Sequence, residues 1–546
     1  MIVERSSMRA APALAVVFAV AALALFQAWA SRWSMQSDGI SYLDMGDAIL
    51  RSDFAMALNG YWSPVYPFLL GLALRLFRPD PAWQFPLVHL VNFAIFLFAL
   101  ASLAYWLRTK RSSPLAYAIF GFLTLNMIDM ERVSPDLLMA AFLFLCLGKL
   151  ARIEQGEDRL PSYAILGALC GFGYLVKAPM LPVAIVIACL AVRRTNIARR
   201  SVAIAIPFIL IAGPWIAAVS IHGGRLIVSD NARVNCIAQI NGASPGWYFQ
   251  SPGTARGNYI HPVRRIYDRP AVYEFATPLG GTQPIWYDPS YWTAGVSPRI
   301  VPAAWARGIV QQIRTYARLL LRDQWLLIAG FVALAAIGRW PRWTDLRDAR
   351  SAWILALAGL AMYALVVVEP RYVAWCFTVL WIPLYVGVRA RPGRNFGALA
   401  AILICCALLA SLSISIAREF RAGNHRSDEH LQLASLLRSR GIHAGCRVAR
   451  IGGRYSANWA RLLGAKVVAE VPESDAAIFW KAEKPVQDGV ISCFRGLDVC
   501  AVVAECVDKT CAMQPGNGWV SGGSDRFLVL TELANRALLA PAAGAQ

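Results

Sequence analysis

The sequence predicts an all-α polytopic membrane domain of about eleven transmembrane helices, followed by a C-terminal α/β domain on the outer side. Three observations carry that prediction. Of 546 residues, 57% are hydrophobic and only 16% charged, whereas a soluble globular chain has about a quarter charged. The apolar residues gather in runs near the length of a bilayer crossing. Lys and Arg gather in short connectors on alternate sides of those runs. This composition excludes a disordered, collagen-like or small disulfide-stapled chain. The formal net charge of +20 then reads as topology. No RNA- or DNA-binding pattern occurs, so nucleic acid is not an expected partner.

The first run, Ala10–Ala30, follows Arg5 and Arg9 and is long enough to span. Ala28-Trp29-Ala30 resembles a signal-peptide cleavage site, but the run is long for a signal core. Further spans fall at Phe85–Leu107, Leu115–Asp129, Asp136–Ala151, Tyr163–Val176, Met180–Val192 and Val202–Ile221. The last four are Leu319–Gly338, Ala352–Val368, Val373–Val388 and Phe396–Ile416. One set of connectors carries Arg108, Lys110 and Arg111, then Lys149, Arg152 and Arg159, then Arg193, Arg194, Arg199 and Arg200. It continues with Arg339, Arg342, Arg347 and Arg350, and ends with Arg389, Arg391 and Arg394. The opposite short connectors carry single basic residues, Arg132, Lys177 and Arg371. The positive-inside rule makes the first side cytoplasmic, with the N-terminus inside.

Residues 1–417 thus form the membrane domain, with outer loops at 31–84 and 222–318, and residues 418–546 form an outer α/β domain. In that tail, Cys446–Ile451, Lys466–Val471 and Ala476–Trp480 read as strands, and Asp428–Arg438 and Tyr455–Leu463 as helices. Gly452-Gly453 lacks the spacing of a dinucleotide-binding turn. Of 12 cysteines, Cys236, Cys446, Cys493, Cys500, Cys506 and Cys511 lie outside the spans. That even set is compatible with disulfides of unassigned pairing, and no Cys/His cluster has zinc spacing.

Ionisable residues recur where outer loops meet spans. Asp38 follows the first span, and Asp44 and Asp47 fall one helical turn apart. Pro64-Val65-Tyr66 opens an apolar stretch to Phe77 that reads as an interfacial helix, with Tyr61 and Trp62 at headgroup level. Arg132 and Asp136, Lys177, and Arg371-Tyr372 occupy the later outer connectors. An ionisable group in a bilayer costs about 2.5–3.5 kcal/mol on insertion scales, so recurrence on one face suggests a polar pocket. The large outer loop holds Gly246-Trp247-Tyr248-Phe249 and then Trp286, Tyr287, Asp288 and Trp292, aromatic faces with a carboxylate that suit sugar rings. Arg307, Arg314, Arg318 and Arg322 share one helical face and read as an interfacial helix that steers anionic carrier lipid.

These residues resemble the C-type glycosyltransferase superfamily, nearest its bacterial branch of aminoarabinose transferases and lipopolysaccharide-core glycosyltransferases. The matching elements are Asp38 after span one, Pro64-Val65-Tyr66, Arg132 to Asp136, Leu175-Val176-Lys177-Ala178-Pro179, Pro214-Trp215 and Arg371-Tyr372, in order over most of the membrane domain. Two departures stand out: Gly39 follows Asp38 where many members have Glu, and Trp62-Ser63 precede Pro64 where many have Lys.

The resemblance implies sugar transfer from a polyprenyl-phosphate carrier to a lipid, glycan or protein hydroxyl. It implies a multi-pass protein of the bacterial inner membrane with a periplasmic C-terminal domain. Asp38 is the expected base, since an apolar boundary raises a carboxyl pKa, and inversion is the expected outcome. Asp136 is the second catalytic candidate, positioning sugar or acceptor. Lys177, Arg371, Tyr372 and Arg132 are expected on the donor phosphate. Asp44, Asp47, Tyr66, Trp286, Tyr287, Asp288 and Trp292 are expected on sugar or acceptor. No cofactor is expected, although the scattered acids permit a divalent cation. The alternatives are a lipid or sugar transporter and a non-catalytic assembly subunit of the cell envelope.

Overall fold

The computed structural model describes residues 2–109, 113–192, 196–241, 259–260, 263–288, 291, 297–342, 347, 349–388, 396–423, 428–453, 457–506, 511 and 518–531. Trp292, Gly246–Phe249, Tyr455, Lys110, Arg111, Arg193, Arg194, Arg389, Arg391 and Arg394 lie outside the described residues.

Each expected span coincides with helical structure, Leu319–Gly338 with a pair of segments broken at Gln324. The first, α1 (Ile2–Ala30), buries Val20, Ala24 and Ala28 in the bundle, and Gln27 donates to Leu125 O at 3.2 Å and Glu419 Oε2 at 2.9 Å. The outer loop then folds as α2 (Ser37–Leu50), α3 (Phe54–Ala57) and α4 (Val65–Phe77). Helices α2 and α4 cross through two glycines. A Cβ on Gly46 would stand 2.4 Å from Pro67 O, and one on Gly71 would stand 2.8 Å from the Gly46 carbonyl. Only glycine permits backbones so close.

The bundle continues with α5 (Pro81–Leu107), α6 (Pro114–Met127), α7 (Asp136–Glu154), α8 (Leu160–Val176), α9 (Met180–Ala191) and α10 (Ile197–His222). Proline opens α5 and α6, where its missing N–H has no helical partner to lose. After the short α11 (Asp230–Asn235) and α12 (Pro284–Tyr287) comes α13 (Pro302–Arg318), which bends by 62° into α14 (Trp325–Ile337). Then follow α15 (Arg350–Ala364), α16 (Pro370–Gly387) and α17 (Phe396–Gly423).

Among the described residues four helices, α1, α5, α10 and α17, are long and apolar enough to cross a membrane, or five with the bent pair. The other apolar helices are shorter, or carry charges such as Asp136, Lys149 and Arg152 in α7. Helix α10 leaves Val202, Ile206, Ile209 and Leu210 exposed, an apolar surface suited to lipid. The chain is a membrane protein.

Beyond the bundle lies one eight-stranded sheet, ordered β1-β2-β3-β5-β4-β6-β8-β7. Strands β1 (Tyr259–Ile260), β2 (Val263–Tyr267) and β3 (Val272–Phe275) come from the large loop. Strands β4 (Arg447–Ile451), β5 (Lys466–Val471), β6 (Ala501–Glu505), β7 (Val520–Ser521) and β8 (Phe527–Leu530) come from the tail. The two sets join where Tyr273 and Glu274 of β3 pair antiparallel with Glu470 and Ala469 of β5. Strand β4 is parallel to both β5 and β6. Helices α18 (Glu429–Ser439), α19 (Asn458–Leu463), α20 (Glu473–Lys481) and α21 (Lys484–Arg495) complete the tail.

Two expectations are corrected. Ala476–Trp480 is not a strand but lies within α20. Pro472 in extended conformation, followed by Glu473 and Asp475 in the first turn, starts a helix, and Phe479 and Trp480 are buried on it. The third parallel strand is β6 instead. Trp62 does not face outward as an interfacial anchor: it is buried, edge-on to Tyr42, and donates its indole N–H to Tyr287 O at 2.9 Å. Of the cysteines outside the spans, Cys506 and Cys511 form a disulfide.

Candidate functional site

Four separate segments deliver the charged residues to one place. Asp38 lies in the first turn of α2, Asp136 opens α7, Lys177 caps α8, and Arg371 and Tyr372 stand in the first turn of α16. Each is at a helix end because a proline, a cap or a span boundary stops the helix there. Pro135 precedes Asp136, and Pro370 precedes Arg371.

Arg371 is the hub. Its Nη1 is 3.6 Å from Asp38 Oδ2, and its Nε is 3.9 Å from both Asp136 Oδ2 and Glu369 Oε2. These are charge contacts, longer than hydrogen bonds. Nη2 donates to Tyr372 Oη at 3.3 Å, while the buried Nε–H has no hydrogen-bond partner. Lys177 donates to Asp136 Oδ1 and places its ammonium 3.8 Å from the Tyr372 ring centroid. Asp136 is only 3% exposed in its side chain, against 21% for Asp38. Asp38 accepts a 3.0 Å hydrogen bond from the Trp286 indole through Oδ1.

Burial pulls the Lys177 ammonium below its ordinary pKa, with Asp136 opposing and Arg371 reinforcing that shift. Burial also opposes the charge on Arg371, but Tyr372, Asp136 and Asp38 outweigh it and push the group up. The cluster thus holds two cations against two aspartates and the more exposed Glu369, with guanidinium donors left unused. Such donors bind a phosphate oxygen without breaking an existing hydrogen bond.

Most of the remaining candidates sit elsewhere. Arg132 is exposed, 3.6 Å from Asp129, and does not join the cluster. Asp44 and Asp47 do share a face, but both accept from Arg461 Nη1, at 2.9 and 2.6 Å. Asp44 also accepts the Thr282 N–H at 2.6 Å and hydroxyl at 2.8 Å. Burial raises its pKa and Arg461 opposes that. These two acids fasten the first loop to the tail. Tyr66 is fully buried at the edge of the cluster, its ring edge-on to Tyr42 at 5.1 Å and within electrostatic reach of Asp136, and it donates to Asn92 Oδ1 at 2.7 Å. Tyr287 is buried and donates to Met56 O at 2.6 Å. Asp288 lines a cavity of about 520 Å³ beside it, with Asn59, Asp230 and Lys466. Arg307, Arg314 and Arg318 are exposed along α13, whose Gln312, Tyr316 and Trp305 hydrogen-bond Val368 N, Leu360 O and Leu365 O.

Two residues escaped the sequence reading. Tyr42 is buried near Asp38 and Arg371, one turn beyond Asp38 on α2, a spacing that places side chains together. Trp375, one turn beyond Arg371, has a buried indole N–H with no hydrogen-bond partner. Among the described residues no group of three or more His, Cys, Asp or Glu could hold a metal ion.

The apo crystal structure of ArnT from Cupriavidus metallidurans superposes at a TM-score of 0.51 and 13% identity, covering 94% of this chain and 98% of that one. The chain has the fold of a C-type glycosyltransferase. A second ArnT structure from that organism, bound to undecaprenyl phosphate, aligns at a TM-score of 0.46 and 14% identity over 96% of this chain and 99% of that one. Residues 84–227 match a family described as a domain of unknown function, DUF8201. No curated protein matches the sequence. Helices α2, α7, α8 and α16 surround the cluster in this chain, and at this identity the likeness to ArnT is one of fold.

Proposed function

We propose that the protein is a membrane glycosyltransferase that moves a sugar from a polyprenyl-phosphate carrier to a hydroxyl of a lipid, glycan or protein on the periplasmic face of the inner membrane. One observation carries the reading: Asp38, Asp136, Lys177 and Arg371, far apart in sequence, converge with unused guanidinium donors. Asp38 is the more accessible acid and takes the proton from the acceptor hydroxyl. The acceptor oxygen then bonds to the anomeric carbon, the bond from that carbon to the phosphate oxygen breaks, and its electron pair leaves on the phosphate. Arg371 and Lys177 stabilise that charge as it develops. Direct displacement inverts the anomeric centre. Asp136, buried between the two cations, holds them in place. Trp286 fixes the Asp38 carboxylate through Oδ1 and leaves Oδ2 toward Arg371. With two cations in place the phosphate needs no metal ion, and unchanged turnover in chelator is the expected check.

The test uses proteoliposomes with a panel of radiolabelled polyprenyl-phosphate sugars, comparing wild type with Asp38→Asn. Turnover by wild type, lost in a variant that still binds donor, supports Asp38 as the base. Turnover unchanged in the variant moves the base to Asp136. Carrier lipid moved across the bilayer without sugar transfer makes the protein a transporter.

A further inference from the structure

A second basic site lies at the other end of α2. The helix begins with Asp38 in its first turn and is followed by Arg51, thirteen residues on, or roughly 20 Å along the axis. There a cavity of about 260 Å³ is lined by Arg51, Arg75, Arg78 and Arg461, with Asp47 and Gln84. A second cavity of about 230 Å³ shares Asp47, Arg51, Gln84 and Arg461 with it and adds Asp44 and Lys466.

Four arginines face one aspartate in the larger cavity, and Arg461 already engages that aspartate. Arg51, Arg75 and Arg78 pair with no carboxylate among the described residues. The carboxyl end of α4, beside Arg75 and Arg78, carries only about half a negative charge, too little to balance three guanidiniums. Two residues of the lining also carry a buried atom that lacks a hydrogen-bond partner: Arg461 Nε, a donor, and Gln84 Oε1, an acceptor. A ligand that satisfies both has anionic oxygens and a hydroxyl. Leu76 and Phe77, between Arg75 and Arg78 in the chain, and Trp83, next to Gln84 in the first turn of α5, are all exposed. An apolar rim on a basic cavity at a membrane helix end suits a headgroup with acyl chains attached.

We infer that Arg51, Arg75, Arg78 and Arg461, with Gln84, form a binding site for the phosphate of an anionic phospholipid whose headgroup carries hydroxyls. Phosphatidylglycerol has that chemistry. Guanidiniums bind the phosphate in forked pairs, Gln84 accepts from the glycerol hydroxyl, and Leu76, Phe77 and Trp83 lie against the acyl chains. The site is separate from the Asp38 cluster, and the inference stands whether or not the chain transfers a sugar.

The test is lipid retention by the full-length protein. Purified protein in detergent is incubated with radiolabelled dioleoyl phosphatidylglycerol or dioleoyl phosphatidylcholine, washed, and counted. Wild type retains the glycerol lipid over the choline lipid by roughly tenfold, given the stabilisation each basic residue gives an anionic lipid. The triple variant Arg51→Gln, Arg75→Gln, Arg78→Gln brings the ratio near unity. The matching triple exchange to Lys keeps most of it. Should the triple Gln variant not fold, single Arg78→Gln, on an exposed side chain, shows the same loss in smaller measure. Equal retention of the two lipids by wild type overturns the site, as does an unchanged ratio in a folded Gln variant. Full displacement of phosphatidylglycerol by millimolar inorganic phosphate overturns the lipid assignment, because the acyl contacts then contribute nothing.

Discussion

The two ends of α2 carry the same chemistry, aspartates facing an arginine, and hold it differently. At the amino end Asp38 and Arg371 stand 3.6 Å apart, a distance of charge attraction without a hydrogen bond, and the Arg371 Nε–H is unused. At the carboxyl end Asp44 and Asp47 accept from Arg461 at 2.9 and 2.6 Å, and Thr282 adds two donors to Asp44. The first arrangement leaves capacity for a ligand. The second is a latch, joining the first loop to the tail more than 400 residues later. Saturation of the aspartate oxygens, more than residue type, separates the Asp38 cluster from a fastening here, since both arginines keep a buried Nε–H without a partner.

The sharpest way to break this comparison is at Asp38. Asn keeps the size and the Trp286 contact but cannot take a proton, so turnover falls by roughly 10²–10⁴, the usual contribution of a general base. Steady-state rates in proteoliposomes check this, with the melting temperature unchanged. If both measures move together, Asp38 belongs with the latch.

Arg461→Ala tests the other end. It leaves Asp44 buried without its cation, so docking of the tail weakens by about 3–5 kcal/mol. Urea unfolding and limited proteolysis of the tail read that loss. Retained resistance to protease with reduced turnover would make the carboxyl end a functional site instead.

A third test concerns acid. Burial, helped by Arg526, holds the folded-state pKa of His430 on α18 down to about 3, against an ordinary 6.5. The unfolded chain therefore takes the proton more readily. The stability His430 contributes is full above pH 6.5 and is lost as pH falls toward 3, at about 1.4 kcal/mol per pH unit. Thermal melts of wild type between pH 7.5 and 4.5 should fall further than those of His430→Phe, which keeps the ring against Phe527.

Arg132→Ala is the smallest case. Its exposed pairing with Asp129 gives no more than about 1 kcal/mol, and turnover should stay within a factor of two of wild type. A tenfold loss would return Arg132 to the donor site.

Much was legible in one dimension. Asp38, Asp136, Lys177 and Arg371-Tyr372 stood out because charge at a span boundary is costly and recurred on one face. The helices around them followed from apolar runs and prolines. Arg461 was not legible, since no local pattern in the tail points to a loop more than 400 residues away. Ala476–Trp480 misled because a short apolar run suits either a strand or a helix, and the acids before it decided for the helix.

Local order along the chain sets where it is apolar, where its helices stop and which charges stand at those stops, because these depend on neighbours a few residues apart. Which charges meet is set by packing between distant segments. It brought Asp38 to Arg371, gave Asp44 and Asp47 to Arg461, and joined strands of the large loop and of the tail into one sheet. Those pairings depend on contacts in space, and an aspartate's partner sets whether its charge is available or already satisfied.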